Sequence, residues 1–188
     1  MLGEGLSFLN DALLQPFAAV LLFRFHAVWL QAPMRNPIGE FVMAITDFIV
    51  LRARRYVPSV RGLDSATLFL AFAFEFVYLA LALWLQGYAY DGFPVLGLLA
   101  WTVVKLLKLS VYLLVATLLA GAILSWVNPR TPLAPMLFAV NRPFLQPLRR
   151  HIPPVGNVDL SVLILFIICQ LILIVPIGGL EQAVTRLL

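Results

Sequence analysis

The sequence predicts an all-α integral membrane protein in which four transmembrane helices form two parallel two-helix repeats. Of its 188 residues, 62% are hydrophobic and only 12% are charged, and the mean hydropathy is +0.98. A soluble domain has about 25% charged residues, so this composition excludes an ordinary soluble fold. The long apolar runs lack the period-two alternation of a transmembrane β-barrel and therefore predict helices.

An internal repeat organises the predicted helices. The run RRYVPSVRGLD at residues 54–64 returns as RRHIPPVGNVD at residues 149–159, an offset of 95 residues, and an apolar run follows each copy. A fixed period marks a repeated structural unit, so we divide the chain into repeats at 1–94 and 95–188. Each repeat is assigned two spans, which predicts that both repeats have the same orientation in the membrane.

The first repeat contains spans at about 8–30 and 63–86. Pro16 is expected to kink the first span, because proline removes a helical hydrogen bond. The second span has 24 residues and would rise roughly 36 Å, which is enough to cross a bilayer with some tilt. Asp64 or Ser65 can cap its exposed backbone N–H groups.

The second repeat begins with an apolar stretch, 95–127, that is too long for one simple span. We place the third span at about 106–126, with residues 95–104 either at the interface or extending the helix. The fourth span is placed at about 160–175, with Asp159 as a cap.

Helix-breaking residues define the predicted end of the fourth span. Pro176 and the pair Gly178-Gly179 follow the apolar run directly. We therefore expect the helix to end there and residues 180–188 to form a short tail.

Two shorter segments, at about 38–53 and 133–148, are apolar but interrupted by polar residues. Segments of this length are typical of interfacial or re-entrant helices, and both alternatives fit the sequence.

The distribution of arginine predicts the orientation. Arginines are concentrated in the loops 31–63 and 126–159, and none precedes the first span or lies in the turn 87–94. By the positive-inside rule, the basic loops should be cytoplasmic and both termini should lie outside. Interfacial aromatic residues fit this arrangement, with Trp29 and Trp126 on the inner side and Trp84, Tyr88, Tyr90 and Trp101 on the outer side.

Glu75 is the sharpest single candidate for function, because a carboxyl group near the bilayer centre is costly. The repeat offset places Gln170 at the equivalent position of the fourth span. If the repeats pack about an axis along the membrane normal, the two side chains could meet. They would then form either a centre that relays a proton or binds an ion, or a hydrogen bond that fixes helix packing.

Arg24 lies near the inner end of the first span. It can extend to the cytoplasmic headgroups, or it can pair with Glu75 at a similar depth.

The double-arginine loops are the second candidate site. Arg54-Arg55 and Arg149-Arg150 could bind anionic headgroups such as cardiolipin or a protein partner, or they could set topology alone. Asp64 and Asp159 are expected to cap the following spans and to bond the nearby arginines.

A stripe of small residues, Thr117, Gly121 and Ser125, recurs every four residues on the third span. Such a stripe lets another helix approach closely, and that helix could be internal or belong to a partner.

Catalytic and cofactor motifs are missing from the sequence. No phosphate-binding, dinucleotide-binding, zinc or redox motif is present, so we expect no metal, no cofactor and no enzymatic activity. His26 and His151 could together ligate haem, but nothing in their spacing supports it. The single cysteine, Cys169, excludes an intrachain disulfide and is expected to be buried.

The second basic loop resembles the signature of the YggT family. The resemblance rests on SWVNP at 125–129 and NRPFLQPLRRHIPPVGNVDLS at 141–161, and residues 21–65 are similar to that family's amino-terminal copy. The first copy departs from the pattern, since Phe48 and Arg52 stand where the family usually has proline. The first amphipathic helix is therefore expected to be the more regular of the two.

The resemblance implies a small bacterial inner-membrane protein without an established enzymatic activity. Relatives are linked to tolerance of osmotic stress, to division-associated functions and, in plastids, to maturation of a b-type cytochrome complex. We therefore expect a non-catalytic scaffold, assembly or stress-tolerance factor that acts through its Arg-Pro loops on anionic lipid, on membrane proteins or on itself. The alternative is an oligomeric ion-handling protein centred on Glu75 and Gln170. Despite the net charge of +4, no nucleic acid is expected.

Overall fold

The computed structural model describes residues 2–60, 62–87, 94–152 and 159–186, and within them the chain is helical without a β-strand. The helices are α1 (Leu2–Leu9), α2 (Gln15–Trp29), α3 (Pro37–Ala53), α4 (Ser65–Leu85), α5 (Val95–Val127), α6 (Ala134–His151), α7 (Leu160–Ile172) and α8 (Gly178–Thr185). A π turn at Asn10–Leu14 joins α1 to α2, and another at Leu173–Ile177 joins α7 to α8. Tyr88 and Tyr90, which are predicted at the outer interface, lie outside the described residues.

Four helical segments of the described chain are long and apolar enough to cross a membrane, as the sequence predicts. They are Gly3–Trp29, Ser65–Leu85, Val95–Val127 and Leu160–Thr185, here called spans 1 to 4. Only 22–28% of the residues in the most apolar part of each span are buried inside the protein. The remaining residues of these windows are at least partly exposed, as is expected for helices that contact lipid.

Span 1 is longer than predicted and is not broken at Pro16. A proline cannot donate to the carbonyl four residues earlier, which here belongs to Ala12. Ala12 lies inside the π turn Asn10–Leu14, where the wider turn accommodates the missing bond. The helix therefore continues on both sides of the proline.

The predicted end of span 4 at residue 175 is wrong for the same reason. Pro176 lies within the π turn Leu173–Ile177, and α8 continues the helix through the two glycines to Thr185. Within the segment predicted as a tail, Val184 is buried in a cluster with Ile177 and with Val104 of α5.

Span 3 is one continuous helix of 33 residues, about 50 Å long. Of the two alternatives for residues 95–104, the structure therefore has the extended helix. Helix α5 is also the central element, since it packs against α2, α4, α6, α7 and α8.

Neighbouring spans run in opposite directions. Asn10 of span 1 contacts Tyr78 of α4, and Phe17 contacts Phe74. Residue numbers therefore increase along span 1 in the direction in which they decrease along α4, so the two helices are antiparallel. The same inverse order relates α4 to α5, and α5 to α7 and α8. The amino termini of α4 and α7 therefore lie at the same end of the bundle, here called the basic end.

The two short segments form regular helices that pack against the flanking spans. Helix α3 lies against α2 and α4, and α6 lies against α5 and α7. Helix α6 contains Pro143 and Pro147, both on its exposed side, where water can solvate the carbonyl groups that the prolines leave unpaired.

Candidate functional site

Each basic loop is closed by an ion pair between an arginine and the aspartate ten residues later. In the first, Arg54 Nη2 lies 2.5 Å from Asp64 Oδ2, and Arg54 Nε donates to Oδ1 at 3.3 Å. In the second, Arg149 Nη2 and Nε lie 2.7 and 2.8 Å from Asp159 Oδ2. We call these two pairs the first and second elbow. The repeat offset thus relates two equivalent three-dimensional arrangements.

The elbow aspartates also cap the spans that follow. Asp64 accepts hydrogen bonds from the Thr67 backbone N–H at 3.4 Å and from the Thr67 hydroxyl at 2.6 Å. Asp159 accepts from the Ser161 backbone N–H at 3.0 Å. Each carboxylate therefore has two roles. It holds the basic loop through the arginine, and it accepts a hydrogen bond from a free backbone N–H group in the first turn of the following span.

The elbows keep their carboxylates charged. Burial acts to raise the pKa of Asp64, but the hydrogen bonds from Arg54 and Thr67 and the charge of Arg54 outweigh it, so the pKa is lowered. The pKa of Asp159 is lowered in the same way, with burial opposed by the hydrogen bond and charge of Arg149 and by the Ser161 backbone N–H. The hydrogen bond to Asp64 raises the pKa of Arg54 and outweighs burial, which acts to lower it. Both elbows are therefore ion pairs at neutral pH.

The second arginine of each pair has a different environment. Arg55 and Arg150 are exposed, and neither has an acidic partner among the described residues. The first arginine of each pair therefore fixes the loop. The second is exposed at the basic end and is available to bind another molecule.

Arg24 neither extends to the surface nor pairs with Glu75. Its guanidinium is buried, with Nη1 2.7 Å from Asp47 Oδ1 and 2.6 Å from the Thr46 hydroxyl, which accepts its hydrogen bond. Both partners belong to α3, which packs across the end of α2. Arg24 therefore fixes the first short helix to span 1.

A buried amide has the corresponding role in the second repeat. Asn141 Nδ2 donates to the Thr117 carbonyl at 3.0 Å, and its Oδ1 accepts from the Thr117 hydroxyl at 2.8 Å. A Cβ on Gly121 would lie 3.5 Å from the same amide nitrogen. The small-residue stripe therefore faces an internal helix, α6, and Ser125 continues it along a groove between α5 and α6.

Thr46 and Asn141 are related by the repeat offset of 95, and sequence reasoning missed both as docking residues. The available signal was a polar residue at the same place in each short apolar segment.

Glu75 and Gln170 do not form the predicted pair. Their helices, α4 and α7, do not pack against each other within the described chain, because α5 lies between them. Glu75 is 3% exposed, and its Oε2 has no hydrogen-bond partner among the described residues.

Lys105 belongs to a polar cluster that sequence reasoning missed. Its Nζ lies 2.9 Å from Glu181 Oε1, and Lys108 Nζ lies 2.7 Å from Glu181 Oε2. The predicted helix end at Pro176 places Glu181 in a short tail. The sequence prediction therefore does not bring Glu181 close to the two lysines. The two lysines three residues apart in an apolar run were the signal that an acid should lie opposite them.

The histidines provide no support for a haem site. His26 Nδ1 lies 2.7 Å from the Leu22 carbonyl, and His151 Nδ1 lies 2.8 Å from the Pro147 carbonyl, so each ring is bonded within its own helix.

Replacing Arg24 by methionine should lower the free energy of unfolding by about 1–3 kcal/mol, because it removes a charge-assisted bond to Thr46 and the partner of Asp47. The loss of stability should not exceed this range, because the Asp47 side chain is 42% exposed and water can solvate its charge when Arg24 is removed. The apparent melting temperature in detergent measures the effect, and Asp47→Asn is the matched control. A double variant whose loss equals the sum of the single losses would contradict a direct pair.

The chain is similar in sequence to one protein family and to several uncharacterised bacterial proteins. The profile of the CCB3/YggT family matches residues 4–85 and 100–180. An uncharacterised protein of Vibrio alginolyticus is 36% identical over 172 residues, which cover 87% of this chain and 89% of the relative. The uncharacterised protein YggT of Escherichia coli K12 is 32% identical over 168 residues, covering 89% and 86%. An uncharacterised protein of Pseudomonas aeruginosa is 31% identical over 166 residues, covering 87% and 84%.

No solved structure matches the chain significantly. Each block matched by the family profile contains one complete elbow: the first includes Arg54 and Asp64, and the second includes Arg149 and Asp159. From this match and these relatives, the chain belongs to the CCB3/YggT family.

Proposed function

We propose that this protein is a non-catalytic scaffold of the bacterial inner membrane, whose basic end faces the cytoplasm and recruits acidic partners there. The single observation that supports this is the pair of elbows. Each uses one arginine to fix its loop and leaves the next, Arg55 or Arg150, exposed at the same end of the bundle. A rigid surface with unneutralised arginines is suited to binding anionic groups at the membrane surface.

The cytoplasmic placement of the basic end follows from the distribution of arginine and can be tested with single cysteines. The native chain has one cysteine, Cys169, which is buried, so Cys169→Ala provides a clean background. Cysteines at positions 55 and 150 should react with a membrane-impermeant maleimide only after the inner membrane is permeabilised. A cysteine at position 3 should react before permeabilisation. Labelling of 55 or 150 in intact cells would contradict the placement.

Recruitment is tested by reversing the exposed arginines and leaving the elbows intact. Arg55→Glu with Arg150→Glu should deplete the membrane proteins that co-purify with the wild type, measured by quantitative mass spectrometry. Arg54 and Arg149 are left unchanged, because their loss would release Asp64 and Asp159.

The matched control is Arg186→Glu, which reverses an exposed charge at the other end of span 4. It should leave the set of co-purifying proteins unchanged. Recovery of the same partners at the same levels by the double variant would rule out the basic end as the recruiting surface.

One observation favours ion handling as a second candidate function. Glu75 Oε2 is buried and has no hydrogen-bond partner among the described residues. A carboxyl group in this position could exchange a proton or a small cation with the bilayer interior.

Replacing Glu75 by glutamine should therefore abolish ion or proton flux into proteoliposomes if the second function holds, because the amide keeps the shape but cannot ionise. The scaffold function predicts that the same variant recruits partners normally. Purified wild-type protein in liposomes with a pH-sensitive dye and with sodium or potassium gradients measures the flux. Flux that is equal in wild type, Glu75→Gln and empty liposomes would exclude ion handling through Glu75.

A further inference from the structure

We infer that the second repeat alone carries a binding site for an anionic membrane phospholipid, with the phosphate on three arginines of α6 and an acyl chain in the groove between α5 and α6. The inference rests on the proposed function for the position of the basic end at the headgroup level. It deepens that function by naming a ligand for one of the two basic loops.

The polar part of the site is one face of α6. A cavity of about 260 Å³ is lined by Phe138, Arg142, Gln146, Arg149 and Arg150. These residues recur at helical spacing, so their side chains project to the same side. Arg142 and Arg150 have no acidic partner among the described residues, and Arg149 has only Asp159. The face therefore has two uncompensated guanidinium groups beside a fixed third, an arrangement suited to a phosphate with several oxygen acceptors.

The apolar part of the site adjoins this face. A second cavity, of about 230 Å³, lies between α5 and α6 and shares Phe138, Arg142 and Arg149 with the first. Elsewhere its walls are largely apolar, formed by side chains that include Leu118, Ala122, Leu137 and Leu145. A free phosphate would use only the arginine face, and an acidic peptide would leave the groove unfilled. A phospholipid matches both parts, because its charged headgroup and its hydrocarbon chain are joined at one end.

The first repeat cannot form the same site. The repeat offset places Met43, Asp47 and Leu51 where the second repeat has Phe138, Arg142 and Gln146. Asp47 has the opposite charge to Arg142, and its Oδ1 forms an ion pair with Arg24 Nη1 at 2.7 Å. Only the two arginines of the loop are common to both repeats. The two basic loops are therefore unequal, and the first repeat offers a control within the same molecule.

The experiment titrates the purified full chain in detergent with dioleoylphosphatidylglycerol or dioleoylphosphatidylcholine and counts bound lipids by native mass spectrometry. Wild type should prefer the anionic lipid. Arg142→Gln with Arg150→Gln should bind phosphatidylglycerol about 10- to 30-fold more weakly and lose the preference, since each arginine near a membrane surface contributes roughly a factor of five in affinity. Arg149 is kept, because it holds the second elbow.

The matched control is Arg35→Gln with Arg52→Gln, which removes the same charge from two exposed arginines of the first repeat and should change the affinity by less than about twofold. Ser125→Phe fills the groove without altering charge and should weaken phosphatidylglycerol binding by about fivefold or more through lost acyl-chain contact. Circular dichroism and the melting temperature establish that each variant is folded.

Three outcomes would overturn the inference. One is equal phosphatidylglycerol binding by wild type and the Arg142/Arg150 variant. Another is displacement of the lipid by inorganic phosphate at matched ionic strength together with no effect of Ser125→Phe, which would indicate a site for a free anion. The third is unchanged lipid binding accompanied by loss of a co-purifying protein, which would make this face a protein-binding surface. Because the lipid titration contains no partner protein, it can succeed or fail independently of the recruitment test at Arg55 and Arg150.

Discussion

Replacing Gly39 by alanine is expected to destabilise the protein by roughly 3 kcal/mol, measured as a lower melting temperature in detergent. Gly39 lies in the first turn of α3, and an added Cβ would lie 2.7 Å from the Met34 carbonyl carbon and 2.8 Å from its Cα. These atoms belong to the backbone and cannot rotate away. Alanine is favoured over glycine within a helix by only about 1 kcal/mol, so the steric cost should dominate.

The consequences should extend beyond α3. The Gly39 backbone N–H donates to Asn36 Oδ1 at 3.0 Å, and the Asn36 side chain also reaches Met136 Sδ at 3.4 Å. Displacing this turn would therefore disturb the helix cap and the contact between the two repeats together.

Gly121→Ala is the matched control, because its added Cβ would meet the Asn141 amide nitrogen at 3.5 Å, an ordinary contact. It should be neutral or slightly stabilising, since alanine is the better helix former. A melting temperature for Gly39→Ala equal to or above that of the wild type would contradict the predicted clash.

Replacing Asp64 by alanine should lower the free energy of unfolding by about 2–4 kcal/mol, from the loss of an N-cap and of charge-assisted bonds to Arg54. The Asp64 side chain is 6% exposed, so water cannot replace the bonds it makes to Arg54 and Thr67. Thermal unfolding in detergent gives the magnitude, and protease digestion of the 54–64 loop reports whether the elbow has opened.

The equivalent change in the second repeat, Asp159→Ala, should cost about 1 kcal/mol, since the Asp159 side chain is 35% exposed and makes fewer bonds. Asp64→Asn should lie between wild type and Asp64→Ala, because the amide can cap the helix but cannot form the ion pair. Equal losses at positions 64 and 159 would show that burial does not distinguish the elbows.

The difference between the elbows matters for function. A deeply buried aspartate makes the first elbow the firmer of the two, while the second combines a more exposed aspartate with the arginine-rich face of α6. We therefore expect the first repeat to contribute mainly to stability and the second mainly to binding.

Several structural features were predicted from the sequence because they depend on neighbouring residues along the chain. Hydropathy and length located the four spans, and the capping residues before spans 2 and 4 were recognisable from their position ahead of an apolar run. The resemblance to the YggT family was likewise carried by contiguous motifs, and the family match confirms it. Local signals failed at Pro176, because a π turn and the packing of α8 against α5 keep the helix intact.

Composition and periodicity are properties of the chain alone, and they are enough to predict a helical membrane protein with a repeated unit and paired arginines. Which polar groups meet depends instead on how the helices pack. Arg24 bonds Asp47, Glu181 bonds two lysines of α5, and Glu75 is separated from Gln170. The physical reason is that a buried charge is stabilised by partners on other helices, and helix packing determines which partners come within reach.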